Sequence, residues 1–270
     1  AATARSVDFD GTGDYLEIPN SNDYSFGSGD FTVEGWFNLN DNTAAQTIVS
    51  VWNHTDSRRS WQIEANSSGG LGFSVSPDGS SSTDVVGSNC VYPGQWTHFA
   101  AVRDGNTLKL FVNGTQVATN SFTGSLYDNT NDKLFIGILN GSANITTGKI
   151  SNIRVVKGTA VYTSSFRPPT EPLTSITNTK LLCCNNSSTT GSTTTSGTIT
   201  ANGDPTASTD SPFDDPNGFK FGENEDQNLI KCGSYTGNGS TTGPEINIGW
   251  EPQWIMIKWA EGAEGWLMFD

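Results

Sequence analysis

The stretch W-T-H-F-A-A-V-R-D-G-N-T-L-K-L-F-V-N-G, Trp96 to Gly114, decides the fold class. Trp96, His98, Ala100 and Val102 alternate with Thr97, Phe99, Ala101 and Arg103, and successive strand side chains point to opposite faces of a sheet. Asp104-Gly105-Asn106 supplies residues that tolerate the positive φ of a tight turn. Thr107 to Val112 then runs back, with Leu108, Leu110 and Val112 opposite Lys109 and Phe111. Asn113-Gly114 turns the chain again into Thr115–Ala118. The stretch reads as a β-hairpin that opens a meander.

Outward from the hairpin the same pattern recurs. Phe31, Val33, Gly35, Phe37 and Leu39 alternate with Thr32, Glu34, Trp36 and Asn38, which predicts a long strand. Shorter strands are predicted over 6–9, 15–18, 46–52, 60–65, 71–75, 83–91 and 133–139. A last one covers 149–157, with Ile150, Asn152, Arg154 and Val156 opposite Ser151, Ile153 and Val155. Val161 to Phe166 reads as a turn or a short helical segment. The chain is 34% hydrophobic and 10% aromatic with 30 glycines, enough to bury a core. It is rich in Ser, Thr and Asn and poor in the residues that build long helices. An all-β, two-sheet antiparallel jelly-roll sandwich follows.

Charge narrows the partners. Fourteen basic against 28 acidic residues give a net charge of −14, which repels phosphate backbones and anionic lipid surfaces. Nucleic acid and membrane insertion are therefore excluded as expectations. The cysteines Cys90, Cys183, Cys184 and Cys232 show no metal-type spacing and read as free thiols, with one long-range disulfide as the alternative. The opening A-A-T-A-R-S-V-D-F-D carries no charged-then-apolar segment, so the expectation is a protein made without a signal peptide.

The motifs V-D-F-D-G-T-G-D-Y-L-E-I (7–18), F-T-V-E-G-W-F-N (31–38), the 96–114 hairpin and G-K-I-S-N-I-R-V-V-K-G (148–158) together resemble a laminin-G-like, concanavalin A-like lectin/glucanase domain. The form I-S-N-I-R-V-V-K-G-T-A-V-Y followed by F-R-P-P-T is similar to the version of this domain in structural proteins of tailed, especially marine, bacteriophages. The resemblance implies a sandwich over 1–173. The Ser/Thr/Asn/Gly-rich tract 174–212 reads as a linker, although Leu181-Leu182-Cys183-Cys184 has the composition to add a terminal strand. Residues 213–270 read as the start of a second β module. In it Trp254 to Trp259 suits a strand buried on both faces.

The functional expectation is a non-enzymatic virion protein, a head decoration, tail fibre or other appendage. Its partners are other virion proteins, further copies of itself and host surface glycans. It would be made in the host bacterial cytoplasm. The alternative is a secreted or surface carbohydrate-binding adhesin module, which would be extracellular. Glucan hydrolases of this superfamily carry Glu-x-Asp-x-x-Glu on one strand face to flank the sugar bond with two carboxylates. Here the strands offer only isolated acids, Glu34 and Glu64; Glu223, Glu225 and Asp226 sit in a predicted loop. Neither His54 nor His98 has a partner by spacing. The resemblance brings calcium into view, and Asp10 and Asp14, which bracket a Gly-Thr-Gly turn, are the candidate ligands; the same residues also simply favour a tight turn. Sugar binding uses aromatic rings at loop rims, and Tyr24, Trp52, Trp61 and Tyr127 are the candidates.

Overall fold

The computed structural model describes residues 5–213, 234–244, 254–259 and 265–269. Two compact units emerge, Ala1–Pro216 and Asn217–Asp270. The first is an all-β sandwich of two antiparallel sheets, as the alternation of apolar residues requires. Sheet A contains β1 (Ser6–Asp10), β3 (Phe31–Leu39), β8 (Thr97–Asp104), β9 (Thr107–Val112), β10 (Thr115–Ser121), β12 (Thr147–Lys157), β13 (Thr179–Cys183), β14 (Ser192–Thr194) and β16 (Thr206–Ser208). Sheet B runs in the order β15 (Thr200–Asn202), β2 (Tyr15–Ile18), β11 (Leu134–Ile136), β4 (Gln46–Asn53), β5 (Arg58–Ala65), β6 (Leu71–Val75), β7 (Thr83–Gly87). The hairpin forms as read, with Ala101 opposite Leu110 and Phe99 opposite Val112. Phe99, Ala101, Leu108 and Leu110 enter the core with Phe31, Val33, Phe37 and Leu39 of β3.

β12 departs from simple alternation. Ile150, Ile153 and Val155 all face the core, because the pairing with β3 shifts register between Ser151 and Arg154. Asn152 sits at φ 54, a left-handed conformation that Asn tolerates better than most residues. The extra residue flips the facing of everything after it, as a β-bulge must. Gly35 lies opposite: a Cβ there would come within 2.6 Å of Ile153 Cδ1. At the bulge β12 also changes partner on its other edge. Thr147 to Ile150 pair with β1, and Ile153 to Val156 pair with β13.

That change of partner corrects the expected linker. The tract 174–212 contributes β13 and β14 to sheet A, β15 beside β2 in sheet B, and β16 beside β1. Leu181, Leu182 and Cys183 are fully buried, so the Leu-Leu-Cys-Cys tract does add a strand. The remainder has few apolar residues because its short strands mainly complete edges. Such strands obtain their stability from ladder hydrogen bonds rather than from side-chain burial. The predicted strand 83–91 is shorter, ending at Gly87, and Val161–Phe166 forms no helix but an irregular strap.

The second unit shows β17 (Ile255–Lys258) paired with β18 (Trp266–Phe269), Met256 opposite Met268. The two-face burial expected for Trp254–Trp259 is not met among the described residues. Ile255 and Met256 are 43% and 46% exposed, since among the described residues β17 has only β18 beside it. Cys232, Glu223, Glu225, Asp226 and the strand-like run 228–232 lie outside the described residues.

A chain ended at residue 173 leaves the buried faces of Val155 and Val156 without Leu181, Leu182 and Cys183. Each fully buried Leu is worth about 1.5–3 kcal/mol. The denaturant midpoint of the 1–173 chain is therefore expected well below that of 1–216. Equal midpoints would show that 174–212 is a linker after all.

Candidate functional site

One end of the sandwich gathers three carboxylates. β1 ends at Asp10, and Gly11 and Gly13, both at φ 83, carry the turn to Asp14, the residue just before β2. Asp14 is 1% exposed. Its Oδ2 accepts the backbone N–H of Asp10 at 3.1 Å, and its Oδ1 accepts that of Asp204 at 2.7 Å. Asp14 thus bolts the β15–β16 turn onto the β1–β2 turn. Gly203 at φ 74 approaches so closely that a Cβ would collide with Asp14 Oδ1. One carboxylate oxygen from each of Asp10, Asp14 and Asp204 lies within 4.8 Å of the others. Calcium binds oxygen ligands at about 2.3–2.6 Å, and these three residues are the described group that could hold such a cation. Asp8, Asn40 and Thr206 also line this cleft of about 440 Å³. Sequence spacing had no means of finding Asp204, which is 190 residues from Asp14 and lies in the tract expected to be a linker.

The predicted aromatic candidates divide. Trp61 is fully buried, and its Nε1 donates to the carbonyl of Tyr24 at 2.9 Å. Tyr24 itself is 2% exposed and Trp52 4%, the latter beneath the Arg59 guanidinium at 5.9 Å from its ring centroid. These three are structural: none offers a ring face to a sugar. Tyr127 is half-buried and packs beside Gly79, which has no Cβ in the way. Their nearness to loops suggested exposure, but Trp52 and Trp61 lie in β4 and β5 with their rings buried, and the segment carrying Tyr24 folds back over the core.

The outer face of sheet A is closed as well. The strap after β12 lays Ala160, Tyr162 and Phe166 over Ala100, Val102 and Phe111, while Leu173 and Phe213 cover Trp36 and Leu182. Beneath lies Glu34, wholly buried. Arg154 Nε and Nη2 both donate to its Oε1 at 2.9 and 2.6 Å, and the Tyr162 hydroxyl donates to Oε2 at 2.9 Å. Arg154 Nη1 donates to the Thr174 carbonyl at 2.8 Å. His98 Nε2 is 3.5 Å from Oε2, outside hydrogen-bonding geometry, and its ring is edge-on to Trp36 and Phe166. Burial opposes ionisation of Glu34, but His98 and Arg154 together outweigh it and hold the carboxyl below its ordinary value. Burial and the Glu34 charge push the Tyr162 hydroxyl up.

Glu34 and Glu64 therefore lie apart and are each occupied. Glu64 on β5 accepts from Asn144 Nδ2 at 2.5 Å and, at the 3.4 Å limit, from the Thr47 hydroxyl. His54 is exposed in a turn. Cys183 and Cys184 are buried free thiols with Sγ atoms 3.8 Å apart, and Cys90 is a half-buried one.

Residues 10–161 match the sequence family described as the concanavalin A-like lectin/glucanases superfamily. The chain belongs to this superfamily. Residues 148–270 also match a domain of unknown function, DUF7483, which begins in β12 and therefore includes strands of the sandwich. Among solved structures, a putative carbohydrate binding protein from Bacteroides ovatus ATCC 8483 superposes with a TM-score of 0.59 at 16% identity, over 79% of this chain and 62% of that one. Pappalysin-1 of mouse and of human are each 26% identical over 153 residues, 52% of this chain but 9% of theirs. The superfamily member described here thus corresponds to a small part of those two relatives.

Replacing Glu34 by Gln leaves Arg154 buried without its counter-charge, a loss of about 3–5 kcal/mol. Because the Glu34 carboxyl is held low in the folded state, its contribution is present above the ordinary glutamate value of about 4.3 and fades as pH falls below it. Denaturation midpoints measured against pH are expected to drop on the acid side for the native chain and to flatten in Glu34→Gln. An unchanged acid limb would remove Glu34 from the account.

Proposed function

We propose that the sandwich is a non-catalytic carbohydrate-binding module at an extracellular or particle surface. The observation that carries this is the siting of open polar clefts. One is lined by Asp8, Asp10, Asp14, Asn40 and Asp204 and the other by Ser25, Phe26, Ser125, Asp128 and Lys157, at the two ends of the sandwich, while the strap covers the outer face of sheet A over Ala100, Val102 and Phe111. Membership of a lectin and glucanase superfamily, and a fold shared with a putative carbohydrate binding protein, support the class. The described acids lend hydrolysis no support: Glu34 is sealed under the strap, both oxygens of Asp14 are engaged by backbone N–H groups, and the strands lack the Glu-x-Asp-x-x-Glu pattern of the superfamily's hydrolases. No helix among the described residues is long and apolar enough to cross a membrane. A glycan array probed with the full chain is expected to show selective binding without release of reducing ends. A blank array, or hydrolysis, overturns the reading.

Asp10, Asp14 and Asp204 would hold a calcium ion in this scheme, and its charge would fasten the two turns that Asp14 already joins. Ligand binding stabilises the folded state by about 2.7 kcal/mol at a hundredfold excess over Kd. Calcium is therefore expected to raise the melting temperature of the native chain. Asp204→Asn is expected to abolish that rise while changing metal-free stability little. Asp14→Asn lowers stability with or without metal, because it also weakens two backbone anchors. No calcium-dependent shift in the native chain would reduce the cluster to a turn device.

A second reading sets the same module on the particle of a tailed bacteriophage, where it would dock on other virion proteins, self-associate and meet host glycans. It is favoured by the phage-like sequence of 150–170. It is also favoured by the apolar hairpin β17–β18, whose Trp266, Leu267, Met268 and Phe269 are 53–69% exposed and well suited to a protein contact. Mass spectrometry and electron microscopy of purified particles should then find the chain at a repeated position; its absence from particles leaves the free adhesin.

A further inference from the structure

At the opposite end of the sandwich lies a second cleft of about 400 Å³, near the lower end of the range of ligand cavities. Thr147 pairs with Asp10 at the carboxylate end of β12, and Lys157 pairs with Phe31 at the other. Ten residue steps separate them, roughly 30 Å of strand at about 3.3 Å per residue. A cation held by Asp10, Asp14 and Asp204 therefore cannot touch anything bound in this second cleft.

Its lining includes Asn22, Ser25, Phe26, Ser125, Asp128 and Lys157. Ser25 Oγ donates to Asp128 Oδ1 at 2.5 Å, and Lys157 Nζ donates to the Asn22 carbonyl at 2.6 Å. An ammonium has three donor hydrogens and a carboxylate about four acceptor positions, so both groups keep hydrogen-bonding capacity. The loops are also fixed in advance. Arg103, 1% exposed, donates from Nη1 to the Gly27 carbonyl at 3.1 Å and from Nη2 to the Gly124 carbonyl at 2.7 Å. Leu126 N–H donates to Gly27 O at 2.9 Å. Phe26 stacks on Phe31 at 4.0 Å between centroids and forms a rigid floor. A cleft held open in this way loses little entropy on binding.

We propose that this cleft is a calcium-independent subsite for a neutral sugar ring, a proposal that rests on the carbohydrate-binding reading. Lys157 offers a donor and Asp128 an acceptor to the same cleft, the two kinds of partner that sugar hydroxyls use, since each hydroxyl both donates and accepts. One cation against one carboxylate leaves the lining neutral, and the chain's net charge of −14 disfavours sialic acids and sulfated sugars.

Amide NMR of the full isotope-labelled chain tests it, with the methyl glycosides of glucose, galactose, mannose and N-acetylglucosamine as probes and N-acetylneuraminic acid as the anionic one. Shifts from a neutral glycoside are expected at 22–27, 125–128 and 157, and to be unaffected by EDTA. Asp128→Ala and Lys157→Met, both at surface positions, should each weaken that binding at least ~10-fold, as loss of a hydrogen bond to a charged group does. Asp204→Asn should leave it unchanged. Shifts that gather at 8–14 and 204–206 and vanish with EDTA overturn the subsite and keep the carbohydrate reading. Binding of the anionic probe alone overturns the neutral assignment. With no shift from any probe the subsite falls by itself if the glycan array is positive, and together with the carbohydrate reading if the array is blank.

Discussion

The buried pair of Glu34 and Arg154 is the constraint around which sheet A is arranged. A carboxylate wholly removed from water is tolerated only when its charge and lone pairs are met in place. Two donors from Arg154 and one from Tyr162 meet them. Tyr162 belongs to the strap, so the same hydrogen bond that satisfies Glu34 draws the strap onto the sheet. With the strap in position, β3 is buried on both faces, and a sheet surface that would otherwise be open becomes interior.

The pair exists only because β12 is bulged. Without the extra residue at Asn152, strict alternation from Ile150 would direct Ile153 and Val155 away from the core. The bulge returns them to it and sets Arg154 in register with Glu34. It also marks where β13 takes over from β1 along the edge of β12. One backbone irregularity thus joins the core, the buried charge and the later strands. The loops at the two ends of the sandwich are tied separately, one set by Arg103 and the other by Asp14.

Several of these features were legible in the residues. The hairpin, the long strand 31–39 and the turn at Gly11-Thr12-Gly13 follow from period-two alternation and turn chemistry, which are local. The four motifs in order identified the superfamily. The tract 174–212 was not legible, because edge strands paired through backbone groups leave no apolar period to read. The burial of Tyr24, Trp52 and Trp61 was not legible either: a ring in a loop looks the same whether the loop projects or folds back, and a ring near the end of a strand looks the same whether or not a neighbour covers it.

The sequence by itself determined the all-β class, the sandwich family and the lack of the paired-acid motif of its hydrolases, since each is written in short-range pattern. Tertiary structure alone decided which residues meet. It brought Asp204 to Asp14 and Arg154 to Glu34, placed Lys157 and Asp128 in the lining of one cleft, and set the two clefts at opposite ends of β12. Such meetings depend on strand register and on a single bulge, and a register change of one residue reverses every facing downstream.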